Sequence, residues 1–184
     1  MDELLDIVND KDIVIDQQMR STVHQLGLQH RGVHIFLFTA DGKMLVQKRS
    51  ADRAASPSML DCSVSEHVKA GESYLDAAIR GMKEEMGVEG IEVKPLVKFK
   101  MNYGLNDNEI STLYEGVIDP IKVKFDPIEI EEINYYSVEE LQGLMRDRDV
   151  KFCSWFVELL NWHLGQPTRM NFDFQSQKNK PWTK

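Results

Sequence analysis

The chain has 184 residues, 42% of them apolar, with a formal net charge of −8. That length suits one core rather than two comfortable domains, and the acidic balance argues against a nucleic-acid or anionic-membrane surface, although single basic residues can still grip a phosphate. The two cysteines, Cys62 and Cys153, form no secretory-type framework.

In chain order, Leu4 to Val8 and Ile13 to Ile15 flank Asn9-Asp10-Lys11-Asp12 and read as an N-terminal hairpin over about residues 4–16. Met19 to Leu26 is a short helix ended by Gly27. Val33 to Thr39 and Met44 to Lys48, joined by Asp41-Gly42, form the clearest hairpin. Ala70-Gly71-Glu72-Ser73 is a turn with helix-start signals, and a helix then runs from Tyr74 to Met86 until Gly87 stops it.

On that helix Leu75, Ala78, Ile79, Met82 and Met86 fall into one apolar stripe. The opposite face then carries Asp76, Arg80, Lys83, Glu84 and Glu85. Paired carboxylates beside a fixed loop suit a hard cation such as Mg²⁺; the plainer alternative is a solvated face with an Arg80–Glu84 ion pair worth a few tenths of a kcal/mol.

Ile91 to Met101, Ile110 to Ile118 and Glu129 to Tyr136 supply strands, Ser137 caps a further helix, and another covers Phe152 to Leu164. Strand runs with helices at few points indicate an α+β architecture. The tail from Gln166 to Lys184 is polar, with scattered Phe172, Phe174 and Trp182. The longest apolar runs are strand-sized and Met1-Asp2-Glu3 is acidic rather than a signal-peptide start, so a cytoplasmic location is expected.

The spacing from Glu66 to Val88 resembles the Nudix box, GX5EX7REUXEEXGU, where U is a bulky aliphatic residue. Glu72, Arg80, Met82, Glu84, Glu85, Gly87 and Val88 stand in their slots. Two slots depart: Glu66 occupies the place of the leading Gly, and Gly81 replaces the Glu after the Arg. A mid-helix glycine costs about 1 kcal/mol relative to alanine, so Gly81 marks either a released constraint or a close approach. Restoring Glu at 81 is expected to strengthen a weakened hydrolase site.

His30-Arg31-Gly32-Val33-His34, Gln47-Lys48-Arg49-Ser50 and Asp61 to Val68 are similar to the Nudix branch that holds type 1 isopentenyl-diphosphate isomerase and its hydrolase relatives. The resemblance implies a Nudix α/β/α sandwich with a mixed sheet over residues 1–184 and a box at 66–88. It implies a metal held by Glu84, Glu85, Glu66, His67, His34 and Asp107, with Mg²⁺ (or Mn²⁺) as the ion. Catalysis falls to Glu85, Glu109 and Ser65, the last standing where the isomerase has its catalytic Cys. Arg49, Arg53 and Lys69 match diphosphate-binding positions, and Glu72, Arg80 and Gly87 are the structural box residues.

Ser65 weakens the isomerase case, because a hydroxyl is a far weaker acid-base group than a thiol near neutral pH. Cys62 is expected on the opposite face of the strand from residue 65. The isomerase's tryptophan beside the preceding turn has no counterpart in Pro57-Ser58-Met59-Leu60. His24, His30 and His163 read as ordinary structural histidines. Three functions stay open: a Mg²⁺-dependent hydrolase of a nucleoside- or prenyl-linked diphosphate, a non-catalytic diphosphate or nucleotide sensor, and an isomerase-like enzyme. The expected partner is a small-molecule diphosphate, with no nucleic acid and no membrane, and a homodimer is left open.

Overall fold

The computed structural model describes residues 2–172; Phe174 and Trp182 lie outside them. The chain runs β1 (Leu4–Val8), β2 (Val14–Met19), α1 (Arg20–Leu26), β3 (His30–Phe38), β4 (Met44–Arg49), β5 (Leu60–Asp61), β6 (Val64–His67), α2 (Tyr74–Met86), β7 (Val93–Gly104), β8 (Asp107–Val117), β9 (Ile130–Tyr136), α3 (Val138–Arg146) and α4 (Ser154–His163).

The expected α+β sandwich is present. β3 is central: it pairs parallel with β8 from His30↔Glu109 to Phe38↔Val117 and antiparallel with β6. Its side chains alternate as a pleated strand requires. Val33, Ile35 and Leu37 enter the core beneath α2, with Ala77, Ala78, Met82 and Met86. Phe36 enters the opposite core, with Leu141 of α3 and Phe156, Leu159 and Leu160 of α4.

The Asp41-Gly42 hairpin is real only at its tip. β3 and β4 pair just at Phe38↔Met44, and β4 then turns to β9 and β5. Ser63 explains the opening: its hydroxyl accepts from Leu37 N at 2.8 Å and donates to Leu45 O at 2.6 Å. A side chain thus bridges two backbones that would otherwise bond each other.

The apolar stripe on α2 is corrected. Leu75 and Ile79 are 44% and 47% exposed, whereas Ala77, Ala78, Gly81, Met82, Glu85 and Met86 are buried. The helix lies on the sheet through its smallest residues, which admit close approach, so the buried face is rotated from the one hydropathy selects. Glu85, expected on the solvated face, is carried into the interior by that rotation.

The N-terminal hairpin extends three residues beyond its expected end, to Met19. The start of the tail is tied down: Lys100 and Asn171 exchange backbone bonds at 2.8 and 2.9 Å, and Glu158 accepts from Thr168 and Arg169. Among the described residues no helix is long and apolar enough to cross a membrane.

Candidate functional site

The box residues form around one guanidinium. Ser73 caps α2 with a reciprocal Ser73–Asp76 box, and Gly87 closes it at φ 63°. About two turns into the helix, Arg80 donates to both oxygens of Glu72 at 2.9 and 3.1 Å and to the His67 carbonyl at 2.8 Å. Its remaining nitrogen reaches Glu66 Oε2 at 3.1 Å and Glu84 Oε2 at 3.0 Å. Burial works against charge on Glu72, but Arg80 and the Lys69 N–H hold its pKa below the usual carboxylate range. Arg80 therefore fixes the turn to the helix and gathers the acids.

Glu85 lies behind them. It is 5% exposed, accepts from Gln47 Nε2 at 2.7 Å and from the Ser65 N–H at 3.3 Å. Burial, then the charge of Glu66, pushes its carboxyl well above the ordinary range. A buried acid beside another acid is costly without a proton or a cation, and oxygen donors of this kind suit a hard divalent ion.

Strand alternation sets a second cluster on the other side of β6. Val64 and Glu66 face α2, while Ser65 and His67 face away. Gly27, at φ 66°, ends α1 and turns the chain back, so His24, His30 and His67 meet with ring centres 5.0 to 5.2 Å apart. The β7–β8 turn docks there through Asn106 and Asn108, which donate to Gln25 O and Gly27 O, both at 3.0 Å. It brings Asp107 to 3.6 Å from His24 Nδ1, and β8 brings Glu109 to 3.5 Å from His30 Nε2 and 3.8 Å from His67 Nε2.

The electrostatics of this cluster suit a cation. His30 Nδ1 faces the Leu28 carbonyl at 2.9 Å, which can only accept, so Nδ1 carries a proton; burial opposes charge on the ring, yet Glu109 beside Nε2 raises its pKa, and a cation in the cluster would take the place of the Nε2 proton. That Nε2 and Asp107 Oδ1 are buried and lack a hydrogen-bond partner. Burial and then the charges of His67 and His30 lower His24 to about 4. Asp107 is raised to about 6 by burial and by Glu109. Burial opposes charge on Glu109, yet contact with His30 and the neighbouring imidazoles hold it far below its usual value. Three imidazoles and two carboxylates match the donors of a divalent transition metal, and they fall into two overlapping ligand groups.

The expected ligand set is corrected in two places. His34 does not join: its ring nitrogens contact Ser65 Oγ at 3.1 Å and Tyr103 Oη at 3.0 Å, and burial keeps it neutral by lowering its pKa. His24 and His30, read as structural, lie in the cluster instead, His24 within one of the two candidate ligand groups and His30 within both. The signal was their concentration, with four of the five histidines between positions 24 and 67.

Cys62 is not opposite Ser65 either. Its Sγ lies 3.0 Å from Ser65 Oγ, because the non-strand residues 62–63 between β5 and β6 reset the pleat. The thiol is fully buried, and burial together with Asp61 raises its pKa, leaving it protonated.

Both clusters open on a cleft of about 340 Å³ that Arg49, Arg53, Lys69, Ser65 and Trp155 also line. All three expected phosphate ligands are there: Arg49 pairs with Asp61 at 3.1 Å, Arg53 with Glu129 at 2.7 Å, and Lys69 lies 4.0 Å from Glu84. The aromatic residue missing beside the turn arrives from α4, where Trp155 Nε1 donates to Asp61 at 2.6 Å and stacks 5.6 Å from the Arg49 guanidinium carbon. A larger cleft of about 1020 Å³ at the far end of β3 holds, of the expected site residues, Gly87 of the box but none of the expected catalytic, metal or phosphate ligands.

A sandwich with a box helix beneath the sheet and acids gathered by its arginine defines the Nudix class. The family model of the NUDIX domain matches residues 28–156, and the chain belongs to the Nudix family. It is 31% identical over 164 residues to an isopentenyl-diphosphate Delta-isomerase of Serratia proteamaculans, covering 87% of this chain and 90% of that protein. It is 34% identical over 151 residues to an uncharacterized Nudix hydrolase of Streptomyces coelicolor, covering 77% and 78%. Among solved structures, DR0079 from Deinococcus radiodurans superposes with a TM-score of 0.73 at 27% identity, over 87% of this chain and 98% of that one.

Proposed function

We propose that this protein is a divalent-metal-dependent hydrolase of the phosphoanhydride in a nucleoside- or prenyl-linked diphosphate. The observation that carries the reading is the pair Glu66 and Glu84 on one nitrogen of Arg80, with buried Glu85 behind them feeling the charge of Glu66, beside a cleft rimmed by Arg49, Arg53 and Lys69. When bound, a divalent cation would polarise phosphate oxygens and lower the pKa of water.

The chain's own residues do the rest. Arg49, Arg53 and Lys69 exchange their carboxylate partners for phosphate oxygens and orient the diphosphate. Glu85, ionised once a cation is bound beside it, would accept a proton from water, and Gln47 holds the acceptor in place. Glu66, Glu84 and Glu85 would hold the cation, and Glu72 keeps Arg80 directed at Glu66 and Glu84.

The isomerase reading is favoured by one observation, the His24, His30, His67, Asp107 and Glu109 cluster with Trp155 across the cleft. It lacks an exposed thiol. A turnover screen of nucleotide and isoprenoid diphosphates with Mg²⁺ and Mn²⁺, reading phosphate release and product identity, separates the two.

The second cluster yields its own expectation. Gly32 faces Glu109 so closely that an added Cβ would stand 2.1 Å from Oε2. Gly32→Ala should displace that carboxylate and reduce Mn²⁺ affinity by about 10–100-fold, the range for disturbed metal surroundings. Unchanged affinity in calorimetry would remove Glu109 from the ligand set.

A further inference from the structure

The two slots at which this chain leaves the box pattern lie 15 residues apart in sequence and touch in space. Gly81 is on the buried face of α2. A Cβ placed there would stand 2.7 Å from Glu66 Cγ and 2.9 Å from Val64 Cγ1. Neither neighbour yields easily. Val64 is fully buried between sheet and helix, and Glu66 is fixed at its backbone by pairing with Val33 and at its carboxylate by Arg80.

The helix therefore cannot carry a side chain at 81 while β6 carries a long one at 66. The alternation of β6 sends residue 66, not 65 or 67, toward α2, so a strand residue can enter space that a helix residue would otherwise fill. What enters is a carboxylate, the group the pattern places at 81, and it shares the Arg80 nitrogen with Glu84.

We propose that the two departures are one exchange: Glu66 delivers from β6 the carboxylate that the pattern carries on the helix, and Gly81 is the residue that makes room for it. Glu66 is then a cation-site residue of this chain, and Gly81 is its positioning partner. The role of the carboxylate rests on the hydrolase reading; the shared volume does not. The exchange also reverses the expectation that Gly81→Glu alone would strengthen the site, and it removes the reason for reading a degenerate box as a sensor.

Thermal unfolding and Mg²⁺ calorimetry on the wild type, Glu66→Gly, Gly81→Glu and the double variant test this as a cycle. Gly81→Glu alone should lower Tm by several degrees and weaken Mg²⁺ binding. Glu66→Gly alone should fold and lose about tenfold or more in Mg²⁺ affinity. The double variant should regain Tm above that of Gly81→Glu and bind Mg²⁺ within a few-fold of wild type. Glu66→Gln, which keeps the volume, should keep Tm and lose the affinity.

A double variant no more stable than Gly81→Glu overturns the exchange. Mg²⁺ binding by Glu66→Gln equal to wild type, while Glu85→Gln loses it, overturns the assignment of Glu66 and leaves the hydrolase reading standing. Equal Mg²⁺ binding by wild type and Glu85→Gln would instead overturn the hydrolase reading at its own residue, with the Tm cycle still deciding the exchange.

Discussion

Glu85→Gln will reduce diphosphate hydrolysis by roughly 10²–10⁴-fold, the contribution of a positioned proton acceptor, while leaving the cation-free protein as stable as before or more stable. The second half follows from burial. Gln47 can go on donating to the new side-chain carbonyl, and only the weaker 3.3 Å bond from the Ser65 N–H is lost. What disappears is a carboxyl whose folded-state pKa is raised by burial and by Glu66.

A group with a raised folded-state pKa binds its proton more tightly when folded. Its favourable contribution is present in acid and is lost as pH rises through that pKa. With chelator present, the Tm advantage of the variant should therefore be smallest in acid and grow toward neutral pH. A variant less stable than wild type at neutral pH, or one that keeps full activity, contradicts the placement of Glu85 as a strained proton acceptor.

Ser65→Cys alone does not test the isomerase chemistry, because the new thiol would lie against Cys62, whose Sγ is 3.0 Å from the present hydroxyl. The reciprocal change, Cys62→Ser with Ser65→Cys, moves this thiol to the cleft wall beside His34, whose Nδ1 is 3.1 Å from that position. Isomerisation of isopentenyl diphosphate should then appear or rise by about one or more orders of magnitude, the scale of a gained acid-base group. Adding Glu109→Gln should abolish the gain. If a control isomerase turns over and the exchanged variant does not, the allylic chemistry is dropped and the likeness to the isomerases is one of scaffold and metal site.

The box helix was legible because its signals are local: Ser73 and Gly87 bound it, and Glu72, Arg80, Glu84 and Glu85 fall at fixed spacing. The core strand β3 was legible from apolar content and β propensity. The orientation of α2 was not, since Leu75 and Ile79 outweigh Ala77, Ala78 and Gly81 in hydropathy, yet close packing favours the small residues and draws Glu85 inside. The side on which Cys62 falls depended on a two-residue break invisible in an unbroken apolar-polar run. The histidine cluster depended on a return at Gly27 and on a parallel β3–β8 pairing that joins residues some eighty positions apart, so the sequence does not show that His24 and His30, rather than His34, lie beside His67, Asp107 and Glu109.

The central claim, that the gathered carboxylates support cation-dependent attack of water on a phosphoanhydride, is tested most directly by following diphosphate substrates by phosphorus NMR in ¹⁸O-enriched water with Mg²⁺. Cleavage should place one ¹⁸O on one phosphate product, stop on chelation, and fall in Glu85→Gln. Substrate that stays intact across nucleotide and prenyl diphosphates, or product whose phosphates carry no label, would contradict it.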